Sequence, residues 1–235
     1  IDGGAGNDKL HMSADGVFID ADFTNISNVE IIDGASATTN LTATLGTNAA
    51  AAGITTFNFS DTGAAESLTV SSGFDKNLTV VMDATKGNTV SASNYTKNLT
   101  VTTGITDMDD TAEAHTLTGG SGTDTLEIKH TESDNPLLDN VTKFETIKLT
   151  TDGLDAWNST ITTADTLVAK DATLTIDAKG LEETGTDGKL IFDGSAEKNG
   201  NFTILVNGTA AHTATLGEGN DTFTDTGSGA VEVTA

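Results

Sequence analysis

Three short stretches pair glycine with aspartate in a pattern suited to a hard cation. Gly3-Gly4-Ala5-Gly6-Asn7-Asp8 runs on into Lys9-Leu10-His11, and Gly119-Gly120-Ser121-Gly122-Thr123-Asp124 into Thr125-Leu126-Glu127. Both fill every fixed position of the nonapeptide G-G-x-G-x-D-x-U-x, where U is apolar. A third copy, Leu216-Gly217-Glu218-Gly219-Asn220-Asp221-Thr222-Phe223-Thr224, lacks only the first glycine. Glycine turns the backbone through conformations closed to other residues, so carbonyl oxygens can converge. The aspartate adds a carboxylate, and the apolar residue points the other way, into a core. Calcium takes six to eight oxygen ligands at about 2.3–2.6 Å, so one loop supplies half a shell and a neighbouring turn must complete it.

The copies lie about 100 residues apart, so the completing ligands must come from turns that do not match the motif or from residues outside this fragment. Near the first loop the candidates are Asp2, Asp15, Asp20, Asp22 and Asp33. Before the second stand Asp107, Asp109 and Asp110, a run that reads equally as a ligand set and as a solvated loop. Near the third are Asp193, Glu218 and Asp225.

Charge points the same way. The 235 residues hold 35 acidic and 11 basic side chains, a formal net charge of −24. Such a chain has no electrostatic grip on DNA or RNA and none on an anionic membrane. Cations are its natural partners, because crowded carboxylates repel one another in a compact state. No apolar stretch approaches the length of a bilayer span. There is no cysteine, so no disulfide can staple the fold, and calcium can serve as the clamp instead. The chain opens inside a motif and closes in a strand-like run, Ala230–Ala235, and reads as a fragment of a longer protein.

The elements that must position these loops are short strands. Phe74-Asp75-Lys76-Asn77-Leu78-Thr79-Val80 returns as Tyr95-Thr96-Lys97-Asn98-Leu99-Thr100-Val101, an offset of 21 residues, which suits one turn of a solenoid. A longer echo sets Asn25-Ile26-Ser27-Asn28-Val29-Glu30 against Asn140-Val141-Thr142-Lys143-Phe144-Glu145. It implies modules that begin near residues 1, 117 and 214. Strand-like runs of alternating apolar and Thr or Ser residues recur every ten to thirteen residues or so, separated by glycine turns such as Asp33-Gly34 and Asn207-Gly208. The expected fold is all-β: a right-handed parallel β-solenoid with two strands per turn of about 21–25 residues, continuous over 1–235. Tandem β-sandwich domains are the alternative. Helix is expected only around Ala49–Ala52 before Gly53, and over 134–141 with Pro136 at its first position.

Other chemistry finds little footing. His11, His115, His130 and His212 lack the spacing of a zinc set and read as strand-face residues. No HExxH, G-x-S-x-G or cysteine nucleophile occurs. Trp157 and Tyr95 read as packing residues. An ice-binding surface uses ordered threonine rows, but no T-x-T repeat of fixed period appears.

The nonapeptides resemble those of RTX (repeats-in-toxin) proteins. The cysteine-free, Thr/Ala/Asn/Gly/Asp-rich strands resemble bacterial surface-layer proteins and large RTX adhesins. The resemblance implies Ca²⁺ bound by Gly3–Asp8, Gly119–Asp124 and Gly217–Asp221. It also implies type I secretion from a calcium-poor cytosol to the bacterial cell surface. The expected function is a structural, nonenzymatic module that folds on extracellular calcium and self-associates into a surface lattice. A calcium-dependent adhesin gripping cell-surface polysaccharide, with Trp157 as its platform, is one alternative. The β-helix tail of a secreted polysaccharide-modifying enzyme is another.

Overall fold

A computed structural model describes residues 1–11, 16–34, 41–59, 65–82, 87–108, 114–151, 157–181 and 188–235. The chain is a parallel β-solenoid built as two compact units, one of Ile1–Thr102 with Ala112–Asp124, the other of Thr103–Thr111 with Thr125–Ala235. In the first unit the strands are β1 (Lys9–His11), β2 (Gly16–Phe18), β3 (Ile31–Asp33), β4 (Leu41–Leu45), β5 (Thr56–Asn58), β6 (Ser67–Val70), β7 (Leu78–Val81), β8 (Thr89–Ser91), β9 (Leu99–Gly104) and β10 (Thr116–Thr118). Odd-numbered strands pair with one another in one parallel sheet and even-numbered strands in a second, so each rung gives one strand to each.

The second unit holds β11 (Thr125–His130), β12 (Val141–Thr142), β13 (Thr146–Thr151), β14 (Ser159–Thr162), β15 (Thr173–Gly180), β16 (Leu190–Asp193), β17 (Asn201–Val206), β18 (His212–Thr215), β19 (Thr222–Asp225) and β20 (Val231–Thr234). Here β11, β13, β15, β17 and β19 run in order through one sheet, and β14, β16, β18 and β20 through another.

Register shows why a chain of such short strands holds together. Leu10 pairs with Ile32, Ile32 with Phe57, Phe57 with Val80 and Val80 with Val101, so one apolar residue of each rung stacks on the next. Ala43, Leu68, Val90 and Leu117 do the same in the second sheet. From Ile32 onward the first column is 0% exposed. Burial of each large side chain is worth about 1.5–3 kcal/mol, and no single rung could supply it alone. The second unit repeats the device with Leu126, Ile147, Ile176, Ile204 and Phe223.

The 21-residue echo is one turn. Leu78 lies opposite Leu99 and Thr79 opposite Thr100, while the Phe74 and Tyr95 rings pack at a tilt of 52° with centroids 6.0 Å apart. In the longer echo Asn28 (φ 53°) and Lys143 (φ 59°) occupy the same place, both left-handed. The Glu two residues further on then offers its carbonyl to the next rung, Glu30 to Thr56 and Glu145 to Thr175.

The helix expected before Gly53 forms over Thr47–Ala52 (α1) and ends on Gly53 at φ 111°. Its first turn is capped from the rung before: Asp20 accepts the N–H groups of Gly46, Asn48 and Ala49. The helix expected over 134–141 does not form. Asp134 makes a parallel bridge to Ser159, and the Leu137 N–H is taken by the Met108 carbonyl. These contacts and the burial of Leu138 and Val141 outweigh the local signal of Pro136. A short helix, α2 (Ile105–Met108), contains the backbone of Asp107, and Asp109 falls outside the described residues.

Candidate functional site

The three nonapeptides share one position. Asp8, Asp124 and Asp221 each stand immediately before a strand, β1, β11 and β19. A turn that must restart a strand leaves backbone N–H groups in need of acceptors, and aspartate is well suited to supply one.

Asp124 is 0% exposed. Its Oδ1 accepts the N–H of Leu99, at the head of β9, at 2.8 Å, and its Oδ2 accepts the N–H of Gly120 in its own loop at 2.5 Å. One residue back, the Thr123 N–H donates to Asn98 Oδ1 at 3.0 Å. The result is a reciprocal clasp: Asn98 holds the later rung and Asp124 holds the earlier one. Burial raises the Asp124 carboxyl above the ordinary carboxylate range, against the lowering effect of the two N–H donors.

The third loop repeats this clasp with other residues. Asp221 Oδ1 accepts from Phe202 N–H at 2.7 Å, and Asn220 N–H donates to Asn201 Oδ1 at 2.7 Å. Beneath this loop lies Glu197, a 0% exposed carboxylate that carried no sequence signal of a site. Its Oε1 gathers the N–H groups of Lys198, Asn199 and Gly200, and its carbonyl accepts from Glu218. Glu197 therefore shapes the turn on which the third loop rests.

The first loop differs. Its aspartate is tied through its backbone: the Asp8 N–H donates to Glu30 Oε2 at 2.9 Å, and the Asp8 carbonyl accepts from Glu30 and Ile31. Its Oδ2 is buried with no hydrogen-bond partner. The Glu30 carboxylate thus sits on the Asp8 backbone, at a corner where an Asp8 carboxylate oxygen lacks a proton donor. That arrangement suits a hard cation. Asp2 completes the loop by accepting from Gly4 N–H and Asn28 Nδ2, and the Asn28 bond holds its carboxyl below the ordinary range.

The glycines do two jobs. Gly6 lies at φ 131° with open space around it, so there the backbone conformation demands glycine. Gly122 has no such φ. A Cβ there would strike the Lys97 carbonyl, so the requirement is close approach of the rung below.

The other acidic candidates are engaged locally. Asp20 caps α1, Asp22 accepts from Ile19 N–H, and Asp33 faces Lys9 and His11 at 3.5 and 3.7 Å. Asp193 binds Ser195, and Asp225 accepts from Gly227 N–H. Asp15, Asp109 and Asp110 lie outside the described residues. Among the described residues no three His, Asp or Glu side chains gather as a metal cluster, so a cation here would draw on carbonyls as well as carboxylates.

His115 and His212 are buried, each with Nδ1 accepting a backbone N–H from the rung before, that of Asn88 at 2.9 Å and of Leu190 at 3.2 Å. Trp157 is half-buried. No helix among the described residues is long and apolar enough to cross a membrane. Comparison with known protein families, curated proteins and solved structures gives no match.

Proposed function

We propose that this chain is a structural calcium-binding module of a secreted bacterial surface-layer protein, with the first glycine–aspartate corner as its best-prepared site. The observation that carries the reading is the buried, partnerless Oδ2 of Asp8 beside the Glu30 carboxylate. Asp8, Glu30 and the carbonyls of Gly3–Gly6 would hold the ion. Calcium there supplies the positive charge that this acidic corner lacks. Asp221, with one oxygen engaged, ranks next. Asp124, with both oxygens already on N–H groups, serves first as a strand cap.

The −24 charge gives the ion a wider role. Each rung depends on its neighbours, and carboxylate repulsion opposes their stacking. Extracellular calcium sites of this kind bind at about 10⁻⁴–10⁻³ M, so they fill outside the cell and stay empty in the cytosol. At a few millimolar ion, mass action then adds about 1–2 kcal/mol per site to the folded state.

The test is thermal unfolding by circular dichroism, with light scattering, in chelator and through a calcium titration. The midpoint should rise between micromolar and millimolar calcium, and Asp8→Asn with Glu30→Gln should remove most of the rise. An identical midpoint in chelator and in millimolar calcium would refute the calcium reading. Calcium-driven growth in mass would support a lattice role, and a lasting monomer would count against it.

A further inference from the structure

The second sheet of the first unit carries a pattern that the linear sequence hides. From β4 to β10 its outward positions are Thr42 and Thr44 on β4, Ser67 and Thr69 on β6, Thr89 and Ser91 on β8, and Thr116 and Thr118 on β10, while the β2 edge places exposed Val17 opposite Thr42. Register aligns them in two columns. Thr42 lies opposite Ser67, Ser67 opposite Thr89 and Thr89 opposite Thr116; Thr44 lies opposite Thr69, Thr69 opposite Ser91 and Ser91 opposite Thr118. Every position of a grid two wide and four long is a hydroxyl. Thr42, Thr69 and Thr116 are exposed and the rest half-buried.

Three further observations give this face meaning. Among the described residues these strand positions bear no charge and no aromatic ring, in a chain with 35 acidic and 11 basic residues. By contrast, the long sheet of the second unit sets Glu127, Lys148 and Asp177 beside its own column of threonines, Thr125, Thr146, Thr175 and Thr203. The four strands pair without a bulge. And the grid is locked from beneath by a ladder of buried side chains, one residue before each first hydroxyl. Leu41 N–H donates to Glu66 Oε1 at 3.3 Å, Glu66 N–H to Asn88 Oδ1 at 2.8 Å, and Asn88 N–H to His115 Nδ1 at 2.9 Å. Each rung therefore starts its strand at a fixed height.

Parallel strands repeat at about 4.7–4.9 Å, and alternate residues along a strand at about 6.6–6.8 Å. A rigid, uncharged hydroxyl-and-methyl grid with that repeat lies close to the spacing of water oxygens on a face of hexagonal ice. Charge would instead order water around ions, and a glycan platform would present aromatic rings for stacking. We propose that this face binds ordered water, and through it the surface of ice. The proposal does not rest on the calcium reading.

The experiment measures ice recrystallisation inhibition and thermal hysteresis of the 235-residue chain, with folding checked by circular dichroism in the same buffer. The folded protein should inhibit recrystallisation and shape ice crystals. Thr69→Tyr, at the centre of the grid, should abolish both with the spectrum unchanged. Thr203→Tyr, on the long sheet of the second unit, should leave both intact. Folded protein without ice activity, or Thr69→Tyr as active as the parent, would overturn the proposal. So would binding to crystalline cellulose or chitin that Thr69→Tyr removes while ice activity is absent.

Discussion

The loops ending at Asp8 and Asp124 obey the same nine-position pattern, yet their carboxylates hold different things. Asp124 sits on a rung that presents Leu99 N–H, and both its oxygens are spent on backbone. Asp8 engages the following rung through its backbone and the Glu30 side chain, and one of its oxygens remains buried and partnerless. The same residues thus make a strand cap in one place and a cation-ready corner in the other. What a motif of this kind does is set by the backbone it stacks on.

The largest effect is expected where the cap is buried. Asp124→Ala leaves two N–H groups without their acceptor and should cost about 2–4 kcal/mol in urea unfolding. Asp8→Ala, measured in chelator, should cost under about 1 kcal/mol, because no side-chain hydrogen bond is lost. A cost for Asp8→Ala equal to that of Asp124→Ala would erase the contrast between the two loops.

Next come the glycines. Gly122→Ala forces a methyl into the Lys97 carbonyl and should cost about 1–3 kcal/mol. Gly6→Ala meets open space and pays only for its φ of 131°, about 1 kcal/mol. Denaturation midpoints of the two variants would separate steric from conformational need.

A pH scan sharpens the comparison in the second unit. His130 is 0% exposed, and burial lowers its pKa below the ordinary value of about 6.5. Its folded form resists protonation while the unfolded chain accepts it. The contribution is therefore present above that ordinary value and lost as pH falls through the lowered one. His130→Phe should flatten stability over that window, and an unchanged pH profile would show that His130 is not responsible. The smallest effect belongs to the half-buried Lys148–Glu127 pair on the sheet surface, 3.5 Å apart. Lys148→Ala should change stability by less than about 0.5 kcal/mol, and the change should fade with added salt.

How far the sequence could be read follows the same physics. The rung of Phe74 and Tyr95 was legible because neighbouring turns of equal length repeat the same jobs at the same offset. The strands β1 and β8 were not, since three residues with one apolar centre, such as Val90, carry no alternation to detect. The hydroxyl grid was hidden because its rungs differ in length: Thr42 to Ser67, Thr89 and Thr116 are steps of 25, 22 and 27 residues. No fixed period survives such steps, although the register in space is regular. The ladder beneath it was equally silent, for Glu66, Asn88 and His115 are three unlike side chains performing one task. The nonapeptides announced an aspartate at a turn, but the partner of that aspartate lies about 25 residues away and is named by no local pattern.

The ladder from Leu41 to His115 also has a direction. In each of its steps the acceptor belongs to the rung that comes later in the chain. A polypeptide delivered amino end first would thus hold each of these strands provisionally, its leading amide awaiting a successor. Closure of this part of the solenoid should then propagate backward, each newly arrived turn fixing the one before it.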